Sequence, residues 1–224
     1  MKIKPILFGS TGMIGQGVLM ECLESPDVES ILVVNRRPGG LQHPKLEEVI
    51  HTDFGNFSAL VQVFARYDTC FFCLGVTAVG LREEEYHKIT YDIATKAAEA
   101  MLKANSGITF CYISGAGTDS SEKGKIMWAR VKGKTENALL AMPFRASYMF
   151  RPGYIQPMRG IRSKTRLYNM FYFVFKPLYF LLKPFKGIVT DTVTLGRAMI
   201  RVGTMGYGKK ILESADINIA GKTW

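Results

Sequence analysis

Residues that build disulfide frameworks and zinc sites are scarce in this sequence, which has four cysteines and three histidines among 224 residues. The cysteines lie inside apolar segments rather than in loops, a pattern that indicates a reducing compartment, and we expect a cytoplasmic location. Cys70 and Cys73 have the spacing of a metal or redox pair, but residues three apart on a strand point to opposite faces. The histidines show no partner spacing for zinc. We therefore expect buried, unreactive thiols and no bound metal.

Long apolar runs are also missing. The run Ile6-Leu7-Phe8 near the start is about three residues long, against the ~7 to 15 of a secretory leader, and the start of a strand explains it better. An aromatic-rich stretch at 168–186 is interrupted by Lys176-Pro177, well inside the ~20 apolar residues of a transmembrane helix. Three interpretations of this stretch stay open: a lid over a substrate pocket, an oligomer interface, or an amphipathic segment in peripheral contact with a membrane.

The chain carries a net positive charge, but its basic residues are dispersed along the sequence. Basic residues outnumber acidic ones to give a net charge of +10, yet they form no run of the kind found in nucleic-acid-binding arms, so we expect no nucleic-acid partner. The excess also fits a membrane surface or the phosphates of an anionic ligand. A content of 47% hydrophobic and 21% charged residues excludes a disordered chain and a fibrous repeat. The length suits a single domain over residues 1–224.

Short apolar segments alternate with helical patterns through the first two thirds of the chain. Six strands are predicted, at Ile3–Phe8, Ile31–Val34, Glu48–Thr52, Thr69–Leu74, Ile108–Ile113 and Ser147–Phe150. Helices are predicted over residues 16–23, 57–65, 82–104, 121–140 and 192–202, and a terminal strand or extended segment over 210–219. Because no hairpin signal separates the strands, the sequence predicts an α/β fold, a doubly wound and mostly parallel Rossmann sheet with helices on both faces. We expect residues 155–224 to add a small C-terminal cap on the substrate side.

A glycine-rich turn joins the first predicted strand to the first helix. Its sequence is Gly9-Ser10-Thr11-Gly12-Met13-Ile14-Gly15, a GxxGxxG pattern. A strand before such a turn and a helix after it let backbone N–H groups approach a pyrophosphate at the positive end of the helix. We expect every residue of this turn to contact a bound dinucleotide. An ordinary strand-to-helix turn with incidental glycines is the alternative.

The end of the second strand bears on which dinucleotide is bound. About twenty residues after the last glycine, NAD-binding sheets offer an acid to the ribose hydroxyls, whereas an arginine there accommodates a 2′-phosphate. This chain has Asn35-Arg36-Arg37 and no carboxylate at that place. Contacts between guanidinium and phosphate are charge-assisted and often bidentate, so the sequence favours NADP over NAD. In the alternative, the arginines are solvated loop charges.

Further cofactor positions are expected after the third and fourth strands. Asp53 and Phe54 are predicted to meet the edge and the face of the adenine. Leu74, Gly75 and Val76 are predicted to pass close to the middle of the cofactor. Both assignments rest on position alone, since open α/β sheets bind ligands outside the carboxyl ends of their strands.

Taken together, residues 3–155 resemble the short-chain dehydrogenase/reductase superfamily, in particular its atypical members with a GxxGxxG turn, including Tat-interacting-protein-30-like and NmrA-like proteins. The resemblance implies that a serine at the end of the fifth strand acts with a tyrosine and with a lysine four residues after that tyrosine. Ser114 stands where the family serine stands. Lys132 matches the family lysine, which binds the nicotinamide ribose and lowers the tyrosine pKa.

The chain departs from this family at the tyrosine. Trp128 stands four residues before Lys132, and an indole N–H is a donor that does not titrate usefully. Tyr91, early in the helix after the fourth strand, and Tyr154, just after the sixth strand, are the predicted substitutes for the missing acid. The alternative for both is a packing tyrosine with a hydrogen-bonded hydroxyl.

The resemblance extends to the loop after the sixth strand and to the function. Residues 151–155 resemble the loop beside the nicotinamide, which implies cofactor contacts from Pro152, Gly153 and Tyr154. The implied function is that of an NADP-dependent oxidoreductase, or an epimerase-like enzyme, acting on a small, largely apolar carbonyl or alcohol that Ser114 orients. A non-catalytic NAD(P)-binding sensor or scaffold protein is the alternative, because the usual tyrosine is replaced. A monomer and a homodimer both stay open.

Overall fold

Seven parallel strands form the central sheet of the computed structural model, which describes residues 2–161 and 187–222. In chain order they are β1 (Pro5–Phe8), β2 (Ile31–Asn35), β3 (Leu46–Ile50), β4 (Thr69–Phe72), β5 (Thr109–Ile113), β6 (Ala146–Arg151) and β9 (Ile211–Glu213). Two further short strands, β7 (Tyr154–Gln156) and β8 (Val189–Asp191), pair with each other in parallel. The predicted α/β fold with a parallel sheet is confirmed.

Helices connect the strands. They are α1 (Met13–Glu24), α2 (Val61–Phe64), α3 (Glu83–His87), α4 (Ile93–Ala104), α5 (Met127–Ala141), α6 (Thr192–Met205) and α7 (Ser214–Ala220). A wide π-type turn over Lys88–Asp92 joins α3 to α4, so the predicted helix over residues 82–104 is present with a bulge inside it. Wide turns of this kind are frequent near functional sites, and this one carries Tyr91.

The order of the strands creates a crevice. Across the sheet the order is β3-β2-β1-β4-β5-β6-β9, so the chain runs outward from β1 to β3 and then returns to the other side of β1. The connections that leave β1 and β4 therefore diverge, and they open a cleft beyond the carboxyl ends of these two strands. Gly9 follows β1 and Cys73 follows β4 at this point.

Apolar side chains cover both faces of the sheet, because strands buried on both sides need no polar face. On β1, Leu7 packs in the cluster that includes α1 and α6, whereas Phe8 packs in the cluster that includes α4 and α5. Helices α1 and α6 cross closely at Gly17. A Cβ atom there would lie 2.7 Å from the Cβ of Thr192, a distance that real atoms do not reach.

The structure differs from the sequence prediction at two element boundaries. The helix expected over residues 121–140 begins at Met127, because the Asp119 carboxylate accepts hydrogen bonds from the N–H of Ser121 and of Gly124, at 3.0 and 2.7 Å, and holds a loop there. The extended segment expected over 210–219 is only a strand over Ile211–Glu213, after which α7 begins.

Smaller differences concern the third strand and the short helix. The third strand is Leu46–Ile50, two residues before the predicted range. The helix expected over 57–65 is a 3-10 turn, Ser58–Leu60, followed by the single turn of α2. The aromatic stretch at 168–186 lies outside the described residues, and the cap expected over 155–224 stays a prediction. Among the helices of the described ranges, none has the length and hydropathy needed to cross a bilayer.

Candidate functional site

The glycine turn packs so tightly that a side chain fits at neither Gly9 nor Gly15. Gly9 has a φ of 81°, in the region that favours glycine, and its carbonyl oxygen accepts a hydrogen bond of 2.9 Å from the Gly12 N–H. A Cβ atom on Gly15 would lie 2.0 Å from that same Gly9 oxygen. Gly12 supplies no side-chain cap to α1, so the first helical turn keeps the backbone donors that an anion requires.

The turn also lies directly against the end of β4. A Cβ atom on Gly9 would come within 2.7 Å of the Leu74 nitrogen. The next residues along the chain, Gly75 and Val76, are exposed, and a Cβ atom on Gly75 would meet nothing within 4 Å. The structure thus brings the predicted residues after the fourth strand to the mouth of the crevice.

Asn35, at the end of β2, links the glycine turn to the arginine loop. Its side-chain oxygen accepts a 2.7 Å hydrogen bond from the Ser10 hydroxyl, and its Nδ2 donates one of 2.7 Å to Glu48. The same Glu48 oxygen accepts a 2.9 Å hydrogen bond from the Gly39 N–H. Glu48 was not predicted as a site residue, since nothing in the spacing of the sequence pairs β3 with that loop. Its carboxylate fixes the loop that carries the two arginines.

Arg36 and Arg37 are exposed at the start of this loop. Neither guanidinium forms a hydrogen bond or an ion pair with any residue in the ranges 2–161 and 187–222. Glu48, an acid in this region, already accepts hydrogen bonds from Asn35 and Gly39. Two cationic groups are therefore presented beside the end of β2 without a counter-ion from the part of the chain that the structure describes.

Asp53 and Phe54, the predicted adenine contacts, follow β3 and already have partners within the chain. The Asp53 carboxylate accepts a 2.9 Å hydrogen bond from the Gly55 N–H in its own turn. Phe54 is 9% exposed, and its ring packs on His51 and edge-on against Phe8. Asp53 is exposed, but the face of Phe54 is used by the protein core.

Ser114, at the end of β5, is part of a buried ionic network. Its hydroxyl contacts the Glu136 carboxylate at very short range and lies 3.1 Å from the Phe150 carbonyl oxygen. Glu136 is fully buried, and it also receives the Arg151 guanidinium, whose Nε lies 3.0 Å from Oε1. Arg151 further donates a 2.5 Å hydrogen bond to Ser120. The serine hydroxyl is thus engaged inside the protein.

Glu136 is a site residue that the sequence analysis missed. It lies one helical turn after Lys132 on α5, and one further turn separates Lys132 from Trp128. Residues at this spacing share one helix face, so the sequence could have placed Glu136 beside Lys132, but not beside Ser114 and Arg151.

Lys132 lies where the loops after β5 and β6 meet. Its Nζ donates a very short hydrogen bond to the Ser114 carbonyl oxygen. The Nζ atom and the Pro152 carbonyl oxygen each lie 3.9 Å from the place that a Cβ on Gly115 would occupy. Burial lowers the pKa of Lys132 to about 8, although the charge of Glu136 raises it. Trp128, half-buried, approaches Gly117 in the same loop.

The two tyrosines predicted as substitute acids are both in contact with other side chains. The Tyr91 ring packs on His87, with ring centroids 4.6 Å apart, and the Lys134 ammonium lies over its face at 4.8 Å. The Tyr154 hydroxyl donates a 2.8 Å hydrogen bond to Gln156, and burial raises its pKa. The pKa of Tyr154 therefore moves away from neutrality rather than towards it.

The loop after β6 is held rigidly against its neighbours. The Pro152 carbonyl oxygen accepts a 2.9 Å hydrogen bond from the Ala116 N–H. The Gly153 N–H donates to the Ser214 hydroxyl at 2.8 Å, and a Cβ on Gly153 would lie 2.3 Å from the Ile188 oxygen. These contacts join the loops after β5 and β6 into one wall of the crevice. Roles for these residues in cofactor binding stay predictions.

Within residues 2–161 and 187–222, no group of three or more His, Cys, Asp or Glu side chains could hold a metal ion. Cys70 is buried in β4, and burial raises its pKa well above the ordinary value. Such a thiol is a poor nucleophile.

Comparisons with known proteins agree on the fold. In structure the chain is similar to the enzyme WbmF of Bordetella bronchiseptica in complex with NAD+, at a TM-score of 0.66 and 13% identity, covering 97% of this chain and 77% of that one. It is also similar to Gre2 of Candida albicans in complex with NADPH, at 0.66 and 14%, covering 94% of this chain and 78% of that one. These structures are short-chain-dehydrogenase-type Rossmann proteins, as the sequence resemblance implied.

Two relatives in sequence are the proteins named "Protein FMP52, mitochondrial" in Meyerozyma guilliermondii and Debaryomyces hansenii. The first is 29% identical over 67% of this chain and the second 32% identical over 71%. The match spans 64% of the length of the first relative and 69% of the second. Because these relatives are named as mitochondrial, the predicted cytoplasmic location is wrong. The cysteine pattern indicated only a reducing environment, which is not unique to the cytosol.

A protein-family model matches the first half of the chain. The model of the NAD dependent epimerase/dehydratase family matches residues 6–125, from β1 through the loop that follows β5. That range contains the glycine turn, the arginine loop and Ser114. The chain therefore belongs to the NAD dependent epimerase/dehydratase family.

Proposed function

We propose that this chain is an NADP(H)-dependent oxidoreductase acting on a small, largely apolar carbonyl or alcohol. The observation that carries the proposal is the glycine turn, where any Cβ on Gly15 would collide with the Gly9 oxygen at 2.0 Å. Because the glycines carry no side chains, the backbone N–H groups at the start of α1 are accessible to a pyrophosphate. The structural relatives described with NAD+ and with NADPH support a nicotinamide dinucleotide as the ligand.

The chain's own residues support such a cofactor at its pyrophosphate and at its nicotinamide end. The glycine turn would hold the pyrophosphate, and Lys132 would meet the nicotinamide ribose at the wall formed by the loops after β5 and β6. Bound there, NADPH supplies a hydride and NADP+ accepts one. Trp128, which is half-buried beside the same loop, supports an apolar substrate.

The preference for a phosphorylated ribose rests on the loop after β2. Arg36 and Arg37 are exposed without an internal counter-ion among the described residues, and Glu48 is occupied by Asn35 and Gly39. A 2′-phosphate would supply the missing negative charge through charge-assisted hydrogen bonds. The uncharged 2′-hydroxyl of NAD would form weaker hydrogen bonds with these guanidinium groups.

Replacing Arg36 and Arg37 together with alanine tests this preference. We expect the double variant to bind NADPH more weakly by about 2 to 4 kcal/mol, because two charge-assisted contacts are lost, with little change for NADH. The measurement is calorimetric titration with each nucleotide. Arg66→Ala is the matched control, since Arg66 is exposed and paired with Glu47 on the neighbouring strand. Equal losses for NADPH and NADH would contradict the 2′-phosphate contact.

A second function, a non-catalytic NAD(P)-binding sensor or scaffold protein, is favoured by two observations. Trp128 stands in place of the usual tyrosine, and the Ser114 hydroxyl is engaged with buried Glu136. Incubation of the protein with NADPH and a panel of aldehydes, ketones and quinones separates the functions. Loss of the nicotinamide absorbance supports the oxidoreductase. A flat trace across the panel, together with calorimetric binding of NADPH, supports the sensor.

A further inference from the structure

Any turnover at this site needs a group that exchanges a proton, and the usual phenol is missing. Trp128 cannot serve, because an indole N–H does not titrate in the working range. Tyr91 is packed between His87 and Lys134, and the Tyr154 hydroxyl is bonded to Gln156. Both tyrosines are therefore already in contact with other side chains.

Lys132 is already in the place where a proton is needed. Its Nζ lies at the carboxyl end of β5, bonded to the Ser114 carbonyl oxygen and beside the backbone of Gly115. An ammonium group has three N–H donors, and one of them is used by Ser114. No second protein acceptor contacts it among residues 2–161 and 187–222, so two donors are available to a substrate or a ribose.

The surroundings of Lys132 explain why its pKa is lowered. Glu136 lies one turn along α5 and favours the ammonium form, but its carboxylate is shared with Ser114 and with Arg151 from β6. The loop after β5 contributes uncharged backbone, at Ser114 and Gly115. Desolvation therefore outweighs the attraction of Glu136, and the pKa of Lys132 falls to about 8.

We propose that Lys132 is itself the acid and base of the reaction, a catalytic residue rather than only a ribose-binding one. This inference rests on the proposed oxidoreductase function. As a hydride from NADPH reaches the carbonyl carbon, the Lys132 ammonium gives its proton to the carbonyl oxygen. The C=O group becomes CH–OH, NADPH becomes NADP+, and the neutral amine regains a proton from water. In the reverse direction the neutral amine takes the hydroxyl proton as the hydride leaves.

The first experiment measures Lys132 in the protein without cofactor or substrate. The protein is labelled with trace isotope-coded acetic anhydride from pH 6 to 11, and the modified lysines are quantified by mass spectrometry; only the neutral amine reacts. We expect Lys132 labelling to reach half its maximum near pH 8, whereas Nα-acetyl-lysine amide in the same tube does so near about 10.4. A Lys132 midpoint equal to that of the reference amine would overturn the inference.

The second experiment uses variants and the pH dependence of turnover. Carbonyl reduction needs the ammonium, so the rate should fall above about pH 8, while alcohol oxidation needs the amine and should rise. Lys132→Arg keeps the cation but not the titration. We expect it to lose about 10² to 10⁴-fold in the rate of reduction at saturating NADPH, while quenching of tryptophan fluorescence measures how much of its NADPH binding remains.

The outcomes separate this inference from the proposed function. Failure of the wild type to bind NADPH would remove the proposed function and leave the labelling midpoint as measured. Retention of the full reduction rate by Lys132→Arg would overturn the role of Lys132 while binding persists. An inactive wild type beside an active Trp128→Tyr variant would also overturn it, because the site would then lack an acid until a phenol is supplied. If Lys132→Arg does not fold, the labelling of the wild type decides.

Discussion

Gly15→Ala is expected to remove measurable NADPH binding and to lower the free energy of unfolding by about 3 kcal/mol. Helix propensity alone predicts the opposite sign, since alanine in a helix stabilises by about 1 kcal/mol relative to glycine. The steric term decides, because the new Cβ would lie 2.0 Å from the Gly9 carbonyl oxygen and 2.6 Å from its carbon. Both obstacles are backbone atoms, so the turn itself must open.

Urea unfolding and NADPH calorimetry on the same preparation measure the two effects of Gly15→Ala. Gly208→Ala is the matched control, because a Cβ there meets nothing within 4 Å and Gly208 lies between α6 and β9, away from the crevice. We expect the control to keep both properties within error. A Gly15→Ala protein with wild-type stability and affinity would show that the turn is not closed in the way described.

Glu136→Ala is expected to cost about 3 to 5 kcal/mol of folding stability, the largest loss from any single side chain of the site. The carboxylate is fully buried, and its removal leaves the Arg151 guanidinium, whose side chain is 12% exposed, without its main counter-ion. The hydrogen bond from Arg151 to Glu136 is also the main reason that the pKa of Arg151 is raised. A buried charge that cannot be neutralised at ordinary pH makes the loss large.

The control for Glu136→Ala is Glu213→Ala, which removes the other acid near the same arginine. Glu213 is half exposed, and its carboxylate lies 3.6 Å from the Arg151 Nη1 atom. We expect a loss of about 1 to 2 kcal/mol in the same urea titration, since an exposed ion pair contributes little and Glu213 also caps the start of α7. Similar losses for the two variants would contradict the assignment of Glu136 as the central acid of the network.

Local patterns were sufficient to predict the fold and the position of the crevice. Strand β1, the glycine turn and α1 are consecutive in sequence, and their spacing reflects contacts made within that segment. The same holds for Arg36 and Arg37, which follow β2 directly. Parallel strands then bring these segments to one edge of the sheet without further information.

Contacts between distant segments were not predictable in this way. Glu136 contacts Ser114 and Arg151, which come from two other strands, and no local spacing records that meeting. Glu48 likewise reaches Asn35 from the next strand. The helix expected to start at Ser121 starts later because a side chain, Asp119, competes for the backbone N–H groups that a helix would use.

The proposed cofactor site depends on the amide groups of the turn from Gly9 to Gly15, which would hold the pyrophosphate of a nicotinamide dinucleotide. Amide hydrogen exchange of the full chain, measured by NMR with and without saturating NADPH, tests it most directly. We expect slower exchange at Thr11, Met13 and Ile14 and at the loop of Arg36 and Arg37, with smaller changes at this loop when NADH is used. Saturating NADPH that leaves the turn amides unchanged would contradict it.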